Sequence, residues 1–214
     1  MLGIHDLPLF VLSGLLLNLA PGPDSILIMA RSASQGWRAG SAAALGIGAG
    51  TCVHVLAAAL GLSALLAASS WAFSVVKIAG AAYLVFIGLT MLLNRARKNG
   101  GAAIATAAPP ALPWRRIFAQ GFLTNVLNPK VALFFLAFVP QFIAPDAPHK
   151  ALAFIVLGAI FNFNGMLWCH GLALFTARAS RRLSLAPAWA GWLQRGIGAL
   201  FLSFGVKLAL SERG

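Results

Sequence analysis

Asn18-Leu19-Ala20-Pro21-Gly22-Pro23-Asp24 decides how this chain folds. Apolar residues flank it, from Leu7 to Leu17 and from Ile26 to Ala30. With the break included, the run from Leu7 to Ala30 is long enough to cross a bilayer, which takes roughly 20 residues. A Pro-Gly-Pro break followed by a carboxylate does not suit a plain anchor. Proline removes a backbone donor and clashes with the preceding turn. A charged side chain at mid-membrane costs roughly 2.5–3.5 kcal/mol on insertion scales. Transport through the membrane is the function that best accounts for such costs.

Working outward, the 214 residues are 60% hydrophobic and 9% charged. Mean hydropathy is +0.86. Soluble domains carry about 25% charged residues, so the chain is expected to be an all-α polytopic membrane protein. Its net charge of +12 would suggest nucleic acid in a soluble protein. Here the basic residues cluster at the ends of apolar runs, so no nucleic-acid partner is expected. The first run lacks a preceding basic region, so it is expected to remain in the membrane rather than be cleaved.

Six apolar segments are predicted, near 7–30, 39–67, 71–93, 116–143, 149–176 and 189–210. One transporter domain covers 1–214, with a first repeat over 7–93, a cytoplasmic linker over 94–115 and a second repeat over 116–210. Basic residues on alternate sides of these segments number eleven against four. The positive-inside rule then puts the basic loops in the cytoplasm and both termini on the outer, periplasmic side of the cytoplasmic membrane.

The halves resemble each other. Gly14-x-x-x-Asn18-x-x-Pro21-Gly22 matches Gly121-x-x-x-Asn125-x-x-Asn128-Pro129 at one fixed offset. Lys77-x-x-Gly80-Ala81-x-x-Leu84 resembles Arg195-x-x-Gly198-Ala199-x-x-Leu202. Three helices per half is an odd number, so the second copy inserts inverted. Inverted repeats with interrupted first and fourth helices place a transport site at the repeat interface.

The candidate binding residues for substrate or proton are Asn18, Pro21, Gly22, Pro23, Asp24, Asn125, Asn128, Pro129 and Lys130. If a helix restarts after Gly22, Pro23 falls in its first turn, and the dipole stabilises Asp24. Asp24 then serves as a cap, a proton site or both. The free N–H groups there could hold a carboxylate. Asp24 could pair with an ammonium, so a zwitterionic amino acid fits better than a simple anion. Lys130 either snorkels or forms an interior pair with Asp24. His54, Gln141, Asn162, Asn164 and His170 are secondary candidates. Asn162 and Asn164 lie two apart on a helix, so one of them at most is expected at the site. Pro140-Gln141 reads better as a helix stop than as a gate. Cys52-x-His54 and Cys169-His170 are a weak pattern for zinc, and no metal or cofactor is expected. No Walker loop is present, so ATP is not the expected direct energy source.

With both interrupted helices read, the chain resembles the LysE/RhtB family of bacterial amino-acid exporters. The resemblance rests on Pro21-Gly22-Pro23-Asp24, Ser32-x-x-x-Gly36-x-x-x-Gly40, Gly46-x-x-x-Gly50 and Lys77-x-x-Gly80-Ala81-Ala82-Tyr83-Leu84 with Gly88. In the second half it rests on Gly121-x-x-x-Asn125-x-x-Asn128-Pro129-Lys130, Phe134-Phe135 and Pro140-Gln141-Phe142. It implies six helices in two inverted repeats and export of an amino acid or close derivative. Basic amino acids, threonine, homoserine or its lactone, leucine and cysteine are the substrates known across that family. Proton antiport is the mechanism implied. Asp24 matches the acidic or amide position of the family's first-helix motif, and Asn125, Asn128, Pro129 and Lys130 match its fourth-helix motif. The expected partners are the substrate, protons and membrane lipid, and a homo-oligomer is left open. The alternatives are a cation or metal-ion exporter, a thiol-disulfide electron carrier and an intramembrane enzyme. The first needs more acidic ligands, the second a reactive cysteine pair in other helices, and the third a catalytic constellation that is missing from the sequence.

Overall fold

A computed structural model describes residues 2–20, 22–62, 78, 82, 85, 89 and 111–179. The expected sixth segment, nearly all of the third, and the linker up to residue 110 lie outside these. So does Pro21. Among the described residues the fold is helical; the only β feature is an isolated antiparallel bridge between Ile4 and Ile143.

The first apolar run forms two helices, α1 (Leu7–Leu19) and α2 (Pro23–Gln35), bent by 54° at the break. Pro23 occupies the first turn of α2, where its missing N–H costs nothing. The helix runs past the expected Ala30 to Gln35 and stops at Gly36, whose φ of 85° only glycine adopts readily. Next comes α3 (Trp37–Ala57), extended by one π-helical turn over Ala58–Leu62. The fourth run is broken likewise, into α4 (Trp114–Val126) and α5 (Pro129–Leu133). A π turn over Phe134–Phe138 and a 3-10 turn over Val139–Phe142 prolong α5. This arm is bent 48° from α4. Asn128 caps α5, its side-chain oxygen accepting from the Lys130 N–H at 3.1 Å. The unbroken α6 (Lys150–Ala179) and the Trp37–Gly61 helix are each long and apolar enough to cross a membrane, and each bent pair can count as one further span.

The two broken helices run antiparallel, side by side. Arg31 meets Gln120, Asp24 meets Asn125 and Asn128, Ala20 meets Lys130, Phe10 meets Phe142, and Ile4 meets Ile143. The breaks are thus level with each other. α3 crosses α4 closely, because glycines leave room for backbone against backbone. A Cβ at Gly46 would strike the Phe118 carbonyl, and one at Gly121 the Ala43 carbonyl. α6 follows the direction of α1, with Phe161 against Gly14 and Gly165 against Asn18.

Two apolar clusters flank the level of the breaks. One is aromatic, with Phe10, Phe134, Phe138, Phe142 and Phe161 packed together. The other is made of small and branched residues, including Ile28, Ala43, Ile47, Ile117 and Ala173.

Candidate functional site

The break in α1 and α2 strands backbone groups. The Leu17 carbonyl would normally accept from residue 21, but Pro21 has no N–H. The Ala20 carbonyl loses its helical partner where the backbone turns extended. The Lys130 ammonium donates to both, at 3.1 Å each. Gly22 lets it in: a Cβ there would sit 3.2 Å from Nζ. A cation thereby rests at the negative end of the α1 dipole.

Pro129 does the same to α4. It offers no N–H to the Asn125 carbonyl, which accepts instead from the Asn128 N–H at 2.9 Å and from His54 Nε2 at 3.0 Å. Since a carbonyl only accepts, the histidine proton sits on Nε2. The Leu17 and Asn125 carbonyls, each freed by a proline, are therefore both met by a side chain from another helix.

Asp24 stands in the first turn of α2, at the positive end of its dipole. Its Oδ2 accepts from Asn125 Nδ2 at 2.8 Å and from Asn128 Nδ2 at 3.1 Å. Both asparagines are buried. Its Oδ1 is buried and has no hydrogen-bond partner among the described residues, and the same holds for Asn18 Nδ2. An unmet buried polar atom costs about 1–3 kcal/mol. Two of them border one cavity of about 30 Å³. A water needs roughly 10–15 Å³ of such space, so the cavity suits about two waters, and an amino acid requires it to widen.

The cavity has two kinds of wall. Asn18, Asp24, Ser25, Asn125 and Lys130 form the side at the breaks. Ile47 and Gly48 of α3 and Phe161, Gly165 and Met166 of α6 form much of the other. Asn162 lies on that second side and donates to the Gly48 carbonyl at 3.3 Å and to Cys52 Sγ at 3.4 Å.

The expected residues therefore divide. Asn18, Asp24, Asn125 and Lys130 line the cavity, and Asn128 holds Asp24. Gly22, Pro23 and Pro129 shape the breaks, and Pro21 lies outside the described residues. Asn162 lines the cavity and Asn164 does not, in keeping with their helical phase. His54 supports Asn125 from behind. Among the described residues, Gln141 and His170 bond within their own helical segments, to the Ala137 and Met166 carbonyls at 3.1 and 2.9 Å. The interior pairing of Lys130 with Asp24 needs correction. No direct ion pair joins them; Lys130 goes to the freed carbonyls, and the asparagine amides go to Asp24.

Sequence reasoning missed Thr51, Met166 and Cys169, which also line the cavity. Their short or apolar side chains leave no signature in an apolar helix. It also missed a polar knot at one end of the broken pair. Buried Arg31 donates to Gln35 Oε1 at 3.3 Å and to Gln120 Oε1 at 2.9 Å, and Gln35 Nε2 donates to the Leu112 carbonyl at 3.0 Å. Gln120, within the otherwise apolar fourth run, was the available signal.

Two interrupted helices, meeting at a buried polar cavity among membrane-length helices, define a membrane carrier. The chain belongs to the LysE type translocator family, whose model matches residues 15–212. It is 35% identical over 208 residues to an uncharacterized membrane protein of Pseudomonas aeruginosa, covering 97% of this chain and 96% of that one. It is 31% identical over 200 residues to a homoserine/homoserine lactone efflux protein of Salmonella typhi, with 94% of each chain covered. Identity to a leucine efflux protein of Salmonella choleraesuis is 27% over 207 residues, covering 97% and 96%. No solved structure matches the chain significantly.

Proposed function

We propose that this protein is a secondary transporter that exports a small amino acid or a close derivative across the cytoplasmic membrane by proton antiport. The observation that supports this reading best is the unmet, buried Oδ1 of Asp24 beside a cavity. An ionised carboxylate with one oxygen fixed and one open is a receptor for an ammonium. The Asp24 and Ser25 N–H groups at the start of α2 have no acceptor within the helix. With the Asn18 amide they provide donors for the substrate carboxylate. Leucine and homoserine, which the names of two relatives carry, are such zwitterions, whereas the homoserine lactone also named keeps only the ammonium.

Coupling follows from the same oxygen. A proton on Asp24 cancels the charge that holds the ammonium, so proton and substrate exclude each other. Protonation from outside releases the substrate outward, and deprotonation toward the cytoplasm prepares the next binding event. The repeats over 7–93 and 116–210 are inverted copies that rock about the level breaks. The Arg31 end faces the cytoplasm and the Phe142 end the periplasm, as the basic loops require.

Efflux from preloaded cells tests this, using a panel of radiolabelled amino acids with and without an uncoupler. Export of at least one should depend on the gradient. Asp24→Asn should weaken it by about 10–100-fold, the value of a hydrogen bond to a charged group. Asp24→Asn protein at normal membrane levels with unchanged, uncoupler-sensitive export would remove Asp24 from the mechanism.

A further inference from the structure

Met166 is not used by the proposed binding of ammonium and carboxylate, yet it takes up space in the wall of the same cavity as Asp24 and Asn18. Its thioether lies over Gly48 of α3, so close that a Cβ on Gly48 would sit 2.6 Å from the sulfur. The absent side chain at residue 48 is therefore a seat that the Met166 tip fills. Methionine is unbranched, with three rotatable bonds, and it repacks readily into irregular gaps. Ile47 and Phe161 give the same wall an apolar lining.

We propose that Met166 is the residue that determines which substrate side chain the carrier accepts, with Gly48 as its seat. This rests on the reading that the site binds an amino acid. If Asp24, Asn18 and the start of α2 hold the ammonium and carboxylate, the substrate side chain must point away from the breaks. In that direction lies the crossing of α3 and α6, which Met166 occupies. The roughly 30 Å³ now open is too small for any amino-acid side chain beyond the smallest. Rotation of Met166 off Gly48 opens space on that wall, and the thioether is the stand-in for the side chain it yields to. The length and bulk of residue 166 then fix the size of substrate that can be enclosed.

The test is an efflux panel of radiolabelled alanine, homoserine, leucine and phenylalanine in cells producing the parent, Met166→Ala, Met166→Phe, Met166→Leu or Gly48→Ala protein. Transport is normalised to protein in the membrane. Met166→Ala should move the preference toward leucine and phenylalanine, and Met166→Phe toward alanine and homoserine. Each shift should be about tenfold or more, since one methylene in an apolar pocket is worth roughly 10–200-fold in selectivity. Gly48→Ala fills with its own methyl the space that rotation of Met166 would open, and should narrow the range as Met166→Phe does. Met166→Leu conserves volume and should keep the parental ranking. If the parent exports the panel and its ranking survives both Met166→Ala and Met166→Phe, Met166 does not set selectivity. Should the Ala variant fail to reach the membrane, an unchanged ranking in the Phe and Gly48→Ala proteins is enough to overturn the role. A parent that exports no amino acid overturns the underlying reading instead.

Discussion

Lys130 is where local chemistry departs most from expectation. A lysine in an apolar helix has two obvious fates, snorkelling or pairing with a buried acid. It does neither, because the prolines create acceptors that side-chain chemistry alone does not reveal. Leu17 and Ala20 carbonyls are backbone groups, common to every residue, and only the fold marks these two as free. Lys130→Met keeps the stem and deletes the charge. It should strand both carbonyls, at about 1.5–3 kcal/mol for each charge-assisted bond lost. We expect a lower melting temperature in detergent and efflux reduced at least tenfold, read by thermal unfolding and by the radiolabel assay. Full stability and transport in this variant would return Lys130 to a passive role. Asp24 was more legible, since a carboxylate after Pro-Gly-Pro is costly unless used. Its amide partners were not legible: the matched motif put Asn125 and Asn128 in the same site, but the expected partner of Asp24 was Lys130 or an ammonium.

Among the elements, the breaks were readable and the helix ends less so. Proline chemistry marks residues 20–23 and 127–129 without ambiguity. By contrast, Arg31-Ser32-Ala33-Ser34-Gln35 looks like a polar loop, yet it completes α2, because Gly36 rather than polarity sets the end. Nearly all of the third segment and all of the sixth lie outside the described residues. The α3–α4 crossing depends on bare backbone at Gly46 and Gly121. Gly46→Val should force the helices apart. Overpacking costs typically 1–3 kcal/mol, and at about 2–4 °C per kcal/mol for a chain of this size the melting temperature should fall by roughly 2–12 °C. Gly36→Ala meets no neighbour, so its cost should come from the strained backbone alone, about 1–3 kcal/mol. A larger loss at Gly36 than at Gly46 would mean that backbone strain outweighs the crossing.

For the whole molecule, the antiparallel ladder puts the cavity between an aromatic layer and the Arg31–Gln120 knot. Hydropathy and charge suggested this layout only in outline, because they report which segments cross a membrane and not which side chains close its ends. Opening toward the Arg31 side should need that knot to part. In a Cys52→Ala background, buried Cys169 of the cavity wall reports on entry. Gln120→Leu removes the 2.9 Å bond across the broken helices. Modification of Cys169 by a small methanethiosulfonate reagent, which forms a mixed disulfide and releases methanesulfinate, should then speed up about tenfold, the effect of losing roughly 1.4 kcal/mol of closure. An unaltered modification rate would place the barrier elsewhere.

The stranded carbonyl of Ala20 has a consequence for how the chain is made. Its donor, Lys130, stands 110 positions later. A ribosome adding roughly 5–20 residues per second needs about 5–20 s to cover that distance. Through that interval the nascent first helix carries an unmet bend, which neither lipid tails nor its own neighbours can satisfy. The leading half is therefore expected to keep that carbonyl hydrated until the trailing half arrives, so the break should close late in biosynthesis.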